Sequence, residues 1–337
     1  MTEASDLLFD KINIDDIQIE EDKDSEQHYY DRNRKEIESL ALELLNGKNV
    51  LFVTGAGLSV PSGISAYRGK DSIWSKFILD WGTREKFIQD PFAFYNTFWL
   101  QSHEKRNFLE AQPNLGHYAI SSIVECCNVN VITQNIDCLH IKSKVPLEKL
   151  IEIHGRISLY KCINNKCPYS WSKTIDTINI DDYNIGGTSI WKDNLIINPP
   201  LCPNTHCNRP VLPQSLLFDE QYASHSFYRY DEALKWIQAA EVVVFVGTSF
   251  SVGITDTILK SSKKKKLYNF NLYKEKNLGV PINSIVGPSE VTLPLLEREL
   301  ITQTIKKTGK YQIWYKNTIK RLVSENAPLK IPFSSVV

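Results

Sequence analysis

The chain has 337 residues, 39 basic and 39 acidic side chains, and a hydrophobic share of 42%. That length holds one large domain with a smaller companion, and that composition belongs to a globular protein with a core. No apolar run reaches the ~18 residues of a membrane span, and the acidic start "MTEASDLLFDKINIDDIQIEEDKDSEQ" has the features of neither a signal peptide nor an arginine-rich transit peptide. The net charge of zero is unevenly spread: residues 1–26 carry ten acids and two lysines, which leaves 37 bases against 29 acids elsewhere. The expectation is an acidic, disordered leader over residues 1–30 and a basic body suited to an acidic ligand. Seven cysteines, an odd number without a secretion signal, imply a reducing intracellular compartment. Cytoplasm and nucleus come ahead of the mitochondrion, which stays open.

In chain order, "RKEIESLALELLNGKN" places Ile37, Leu40, Ala41, Leu44 and Leu45 on one helical face, with Gly47 as its stop. "VLFVT" (50–54), "NVNVIT" (128–133), "LIEIHG" (150–155), "EVVVFVG" (241–247) and "KLYNFN" (266–271) are short apolar runs that end in polar residues or glycine. Helical stretches such as "YDEALKWIQAA" stand between them, so the fold class is α/β, a doubly wound parallel sheet of Rossmann-like type. Ligands of such sheets gather at the carboxyl ends of the strands. Residues 160–220 break the alternation with paired cysteines and several prolines, which reads as an inserted zinc module. The expected domains are 31–157 with 221–325 for the nucleotide-binding part, including a helical cofactor-loop segment over 63–112, and 158–220 for the module. "KKKK" (263–266) reads as a solvated loop, and no nucleic-acid-binding motif or membrane segment is evident.

The strand ends carry the chemistry. "VTGAGLSVPSGISAYRG" (53–69) lets a backbone approach a phosphate at Gly55, Ala56 and Gly57, but Val60 stands where a dinucleotide fingerprint needs its third glycine. The acidic ribose partner about 20 residues on is also missing, which disfavours an ordinary dehydrogenase. "TQNID" (133–137) is either a polar helix-capping turn or a clamp for an amide or sugar. His154, in "HG", is placed for acid–base work near neutral pH. "GTS" (247–249) offers two hydroxyls beside a glycine, and Asn271 ends another strand within reach of a ribose or base. "CINNKC" and "CPNTHC" are two Cys-x4-Cys pairs with 34 residues between the inner cysteines. Cys162, Cys167, Cys202 and Cys207 would close a tetrahedron around a structural zinc with no open position for catalysis. His206 is a less favoured substitute for Cys207.

In this order the motifs resemble the sirtuins, NAD-dependent protein deacylases. The resemblance runs from about residue 49 to 300 through "GAGLS", "GISAYR", "TQNID", "HG", the cysteine pairs, "LPQSLLFDE", "GTS" and "FN". It implies that NAD is consumed as a co-substrate. Gly55, Ala56 and Gly57 would cradle its diphosphate with Ser59 close by, and Tyr67 and Arg68 would cover the nicotinamide and ribose. Gln134 and Asn135 would face that ribose, and Ile136 and Asp137 the carboxamide. Gly247, Thr248 and Ser249 would meet the diphosphate or adenine ribose, and Asn271 the adenosine. His154, with Asn135, would be catalytic, His154 as the general base that activates a ribose hydroxyl. The partner is an acylated-lysine protein or peptide, held as a strand along Leu216, Phe218 and Glu220, with Tyr95 and Phe98 at its acyl channel.

The chain departs from the family pattern at several points. Ser65 replaces a proline and Tyr67 a phenylalanine. Leu212, Leu217 and Asp219 replace an arginine, a tryptophan and a glycine. Ile254 replaces the proline after "GTS". Asp219 is expected to add negative charge near the incoming peptide. Two alternative functions follow: a protein mono-ADP-ribosyltransferase, or a catalytically weak module that binds NAD or ADP-ribose.

Overall fold

The computed structural model of the chain describes residues 23–65, 80–103, 108, 110–186, 196–275 and 278–308. Tyr67 and Arg68 therefore lie outside the described residues. Helix α1 (Lys23–Leu45) leads into β1 (Val50–Thr54). After the glycine-rich loop come α2 (Arg84–Gln89) and a helical run over residues 91–102, whose middle, Phe94–Trp99, is π-helical. Next are α3 (Leu115–Cys126), β2 (Val129–Thr133), α4 (Leu139–Lys142) and β3 (Leu150–Glu152). A smaller unit follows with β4 (Gly155–Cys162), β5 (Asn184–Gly186), β6 (Ile196–Ile197) and β7 (Val211–Ser215). The chain then returns through α5 (Tyr230–Ala239), β8 (Val242–Val246), α6 (Gly253–Lys260), β9 (Lys266–Asn271), β10 (Asn283–Val286) and α7 (Ser289–Thr308).

Six strands form one sheet in the order β10-β9-β8-β1-β2-β3. Every pairing in it is parallel. The alternation of a strand explains its two faces. Val50 and Phe52 of β1 pack with α1, α3 and α7, whereas Leu51 and Val53 pack with α5 and α6. From β1 the chain winds outward to β2 and β3. It later restarts beside β1 at β8 and winds the other way. The switch point thus falls between β1 and β8, where a doubly wound sheet opens a crevice at its carboxyl edge. The loops that hold "GAG", "TQNID" and "GTS" all leave that edge.

Two elements run beyond what the periodicity marks. Helix α1 begins at Lys23, inside the stretch expected as a leader. Asn33, buried on α1, donates to the Val286 carbonyl at 3.0 Å and accepts the Val286 N–H at 2.7 Å, so it satisfies the edge of β10. Tyr30 donates to Glu299 of α7 at 2.8 Å. Secondly, the rings of Phe87, Phe94, Tyr95, Phe98 and Trp99 share one core with Cys162, Cys167, Ile175, Ile197 and Val211. The helical segment expected to belong to the nucleotide-binding part thus supplies eight of the twenty buried residues of that core. Strands β4 and β7 pair antiparallel within that unit. Among the described residues, no helix is long and apolar enough to cross a membrane.

Candidate active site

Three interlocked glycines set the floor of the crevice. Gly55 donates its N–H to the Val246 carbonyl at 2.9 Å, and Gly57 donates to the Gly247 carbonyl at 2.9 Å. A Cβ on Gly57 would stand 2.8 Å from the Gly247 Cα, and one on Gly247 would stand 2.4 Å from the Leu58 nitrogen. Gly247 also has φ +58°, a conformation that favours glycine. Gly55 and Gly57, expected as a phosphate cradle, thus have a second, structural role. Their amides are spent on β8, and their lack of a side chain serves the close approach of two loops, which leaves Ala56 as the half-buried surface residue between them.

The loop after β2 is stitched to the same turn. Asn135, buried, donates to the Gly55 carbonyl at 3.0 Å and to Ser59 Oγ at 3.1 Å. Ser59 in turn donates to Asp137 Oδ2 at 2.6 Å, while Asp137 Oδ1 accepts the Leu139 N–H, the first of α4, at 2.9 Å. Burial pushes the Asp137 carboxyl up, against the pull of those two donors. Ile136 is buried beside it. Gln134 Nε2 lies 3.3 Å from Thr248 Oγ1, and Asn271 Nδ2 donates to the Thr248 carbonyl at 3.2 Å. Ser249 is exposed at the rim. Among the described residues expected to bind a nucleotide, Gly55, Gly57, Ser59, Gln134, Asn135, Asp137, Gly247, Thr248 and Asn271 thus form a hydrogen-bonded patch across the ends of β1, β2, β8 and β9. Much of its polar capacity already serves the loops themselves.

His154 follows β3 and is half-buried. Its Nδ1 lies 2.9 Å from the Gln134 carbonyl, which can only accept, so Nδ1 carries the proton and Nε2 keeps its lone pair. Burial pushes the imidazole down to about 4, with the Gln134 bond opposing, so the ring is neutral near pH 7 and in the form that a base requires. Tyr222 Oη lies 3.4 Å from Nε2, a neighbour with no sequence motif to announce it.

The expected peptide and acyl contacts divide. Leu216 donates its N–H to the His154 carbonyl at 2.8 Å, and Phe218 is exposed with its N–H on the Gly82 carbonyl at 3.0 Å. Glu220 is corrected: its carboxylate turns inward to Lys161 Nζ at 2.5 Å, and both side chains are buried. Tyr95 is likewise core, fully buried with its hydroxyl donated to the Val211 carbonyl at 2.8 Å, and Phe98 packs beside it. Asp219, exposed, has a structural partner as well. It accepts the Arg84 and Glu85 N–H groups at 2.7 and 3.0 Å, at the first turn of α2.

Cys162, Cys167, Cys202 and Cys207 bring their sulfurs within 4.8 Å of one another. Four thiolates at Zn–S distances of about 2.3 Å stand roughly 3.8 Å apart in a tetrahedron, so this set fits a zinc ion. The two loops are built alike. Asn164 donates its N–H to Cys162 Sγ at 3.3 Å and its Nδ2 to Cys207 Sγ at 3.4 Å, and Asn204 donates Nδ2 to Cys167 Sγ at 3.6 Å. Each asparagine stands two residues after its first cysteine, a signal readable in "CINNKC" and "CPNTHC". These donors would offset the charge of coordinated thiolates. His206 is outside the cluster.

Residues 55–253, more than half of the chain, match the model of the Sir2 family. The chain is 57% identical over 330 residues to NAD-dependent deacetylase sir2E of Dictyostelium discoideum, which spans 97% of this chain and 95% of the relative. It is 31% identical over 265 residues to an NAD-dependent protein deacetylase of Saccharolobus solfataricus, with 76% and 94% covered. A solved structure from work on the mechanism and regulation of Sir2 enzymes superposes with a TM-score of 0.63 at 26% identity, over 80% of this chain and 99% of that one. A Sir2 homologue in complex with ADP-ribose has the same fold, with a TM-score of 0.62 at 21% identity. The chain belongs to the Sir2 family.

Proposed function

We propose that this protein is an NAD-dependent protein-lysine deacylase that releases nicotinamide and an O-acyl-ADP-ribose. The observation that carries the reading is His154, neutral, with Nδ1 committed to the Gln134 carbonyl and Nε2 available as a base at the end of β3. The names of the relatives, NAD-dependent deacetylases and deacylases, support the same reading. NAD, when bound, supplies the ribose whose bond to nicotinamide breaks and whose hydroxyl takes the acyl group. The chain's own residues have narrower tasks. The Gly55–Gly57 turn and the Gly247–Ser249 turn meet to form the floor, and Asn135, Asp137 and Ser59 fix the β2 loop at its side. His154 Nε2 takes the proton of the hydroxyl presented to it. The four cysteines would hold one zinc, whose contribution is to fold the module. The acyl group is carried on a lysine of a protein or peptide, and a reducing compartment suits four thiols kept free for metal.

A panel of acyl-lysine peptides incubated with the protein and NAD, read by mass spectrometry, tests this. Loss of acyl mass together with nicotinamide release supports the reading. Mass gain on an amino-acid side chain of the protein substrate would establish ADP-ribosyl transfer instead, and no turnover on any peptide would leave a binding module.

A further inference from the structure

We propose that Tyr222 is a positioning residue for His154, its hydroxyl tying the imidazole Nε2 to the first turn of α6. The inference rests on the reading of His154 as the base. Tyr222 Oη accepts the Ile254 N–H at 3.1 Å. With that donor in place, its own hydrogen is free to point at Nε2, 3.4 Å away, where the Gln134 carbonyl has left the lone pair. No side chain caps α6 at Val252, so the tyrosine hydroxyl satisfies one of the open N–H groups at that helix start. The two rings lie nearly parallel, 14° apart with centroids at 5.9 Å, and Tyr230 stacks behind Tyr222 at 5.2 Å and 19°. The stacked Tyr230 ring and the bond to the Ile254 N–H hold the hydroxyl where it is. The contact to Nε2 is longer than an ordinary O–H···N bond, so an arriving hydroxyl displaces it without the loss of a strong partner. Until then the imidazole keeps its tautomer and its orientation. The bond to α6 also depends on a departure in this chain, because the proline that the family resemblance expects at position 254 has no N–H to donate.

Two measurements test the proposal. In the protein alone, with 15N-labelled histidine at fixed neutral pH, the His154 signals are identified by their absence from His154→Ala. Tyr222→Phe should move the Nε2 resonance downfield, as a lone pair that loses its donor does, with Nδ1 unchanged. In turnover, Tyr222→Phe should lower kcat for deacylation roughly three- to tenfold, because the imidazole loses the orientation that the tie to α6 gives it before the hydroxyl arrives. KM for NAD should stay within about twofold, since the hydroxyl is not a binding group. Exchange of labelled nicotinamide into NAD, which precedes the base step, should persist. Tyr222→Leu removes the ring as well and should fall further. An unmoved Nε2 resonance with parental kcat in Tyr222→Phe overturns the proposal while His154→Ala stays inactive. Parental activity in His154→Ala overturns the base reading and the proposal with it.

Discussion

Replacing Glu220 by alanine should unfold the protein more readily without first weakening its hold on a peptide. Glu220 Oε2 lies 2.5 Å from Lys161 Nζ, and the two side chains are 5% and 2% exposed. Lys161 also donates to the Ser215 carbonyl at 3.0 Å and to Tyr228 Oη at 2.9 Å, but neither of these carries charge. Burial pushes the Lys161 ammonium down, and Glu220 is the chief group that holds it up. Glu220→Ala leaves that ammonium without its counter-charge and frees the Leu217 N–H, which Glu220 accepts at 3.0 Å. Loss of one partner from a buried pair costs about 3–5 kcal/mol, which for a chain of this size lowers the apparent melting temperature by roughly 4–7 °C. Urea unfolding of the parent, Glu220→Ala and the double change Lys161→Met with Glu220→Leu measures it. The double variant should recover most of the loss, because an apolar pair of similar volume removes the buried charge altogether. An alanine variant within about 1 kcal/mol of the parent, with a raised KM for peptide, would refute the pairing argument and return Glu220 to the peptide groove.

His154→Ala should lower deacylation by roughly 10²–10⁴-fold with NAD affinity retained, as read by steady-state kinetics beside calorimetry. Freshly purified, reduced protein should carry one zinc per chain by elemental analysis, and Cys162→Ser or Cys202→Ser should lose it together with a lower melting temperature. Stability should fall as pH drops from about 6.5 toward 4, since burial pushes His103 and His140 down to about 4 in the fold while both bind protons near 6.5 when unfolded. The unfolded state thus gains protons first, and urea midpoints at pH 7 and pH 5 check the sign. On one peptide, kcat/KM should favour acetyl or longer neutral acyl groups over succinyl. A distal carboxylate carried into an apolar channel needs a cation, and the Arg84 guanidinium is already engaged by the Ile163 carbonyl and Glu220. A clear succinyl preference would overturn this and point to another cation.

The strand ends were legible because each is a local pattern. An apolar run of four or five residues followed by glycine or polar residues marks a buried parallel strand and its carboxyl end, and β1, β2, β3, β8 and β9 all stand where those runs are. The four cysteines were legible from spacing, because a tetrahedral site needs two short loops of two ligands each. What was not legible depends on partners distant in sequence. Asn33 is an ordinary polar residue until β10 comes beside it, 253 residues away. "NSIV" (283–286) has a single pair of apolar residues and shows its strand character only against β9. Tyr95 and Glu220 were expected in the site because the family resemblance aligns them with its acyl channel and peptide strand. Their hydroxyl and carboxylate are consumed by Val211 and Lys161, which no spacing rule connects to them.

Two departures from the family pattern, Asp219 and Ile254, are taken up by hydrogen bonds that the motif itself does not contain. Asp219 illustrates the point. On sequence it is a negative charge beside an incoming strand. In the fold that charge faces two N–H groups at the start of α2, where a helix end favours an anion and where the Thr83 side chain has satisfied only the Lys86 N–H. A carboxylate so placed holds α2 against the segment that runs from β7 to Tyr222. Ile254 follows the same logic: it restores an N–H at the first turn of α6, and Tyr222 takes it. Tyr222 stands three residues after Asp219, so the same short segment is fixed at one end to α2 and at the other to α6 and His154. A glycine at 219 and a proline at 254 would release both anchors. The substitutions are therefore coupled through the position of one loop, and reverting either alone should disturb that loop more than the count of changed residues would imply.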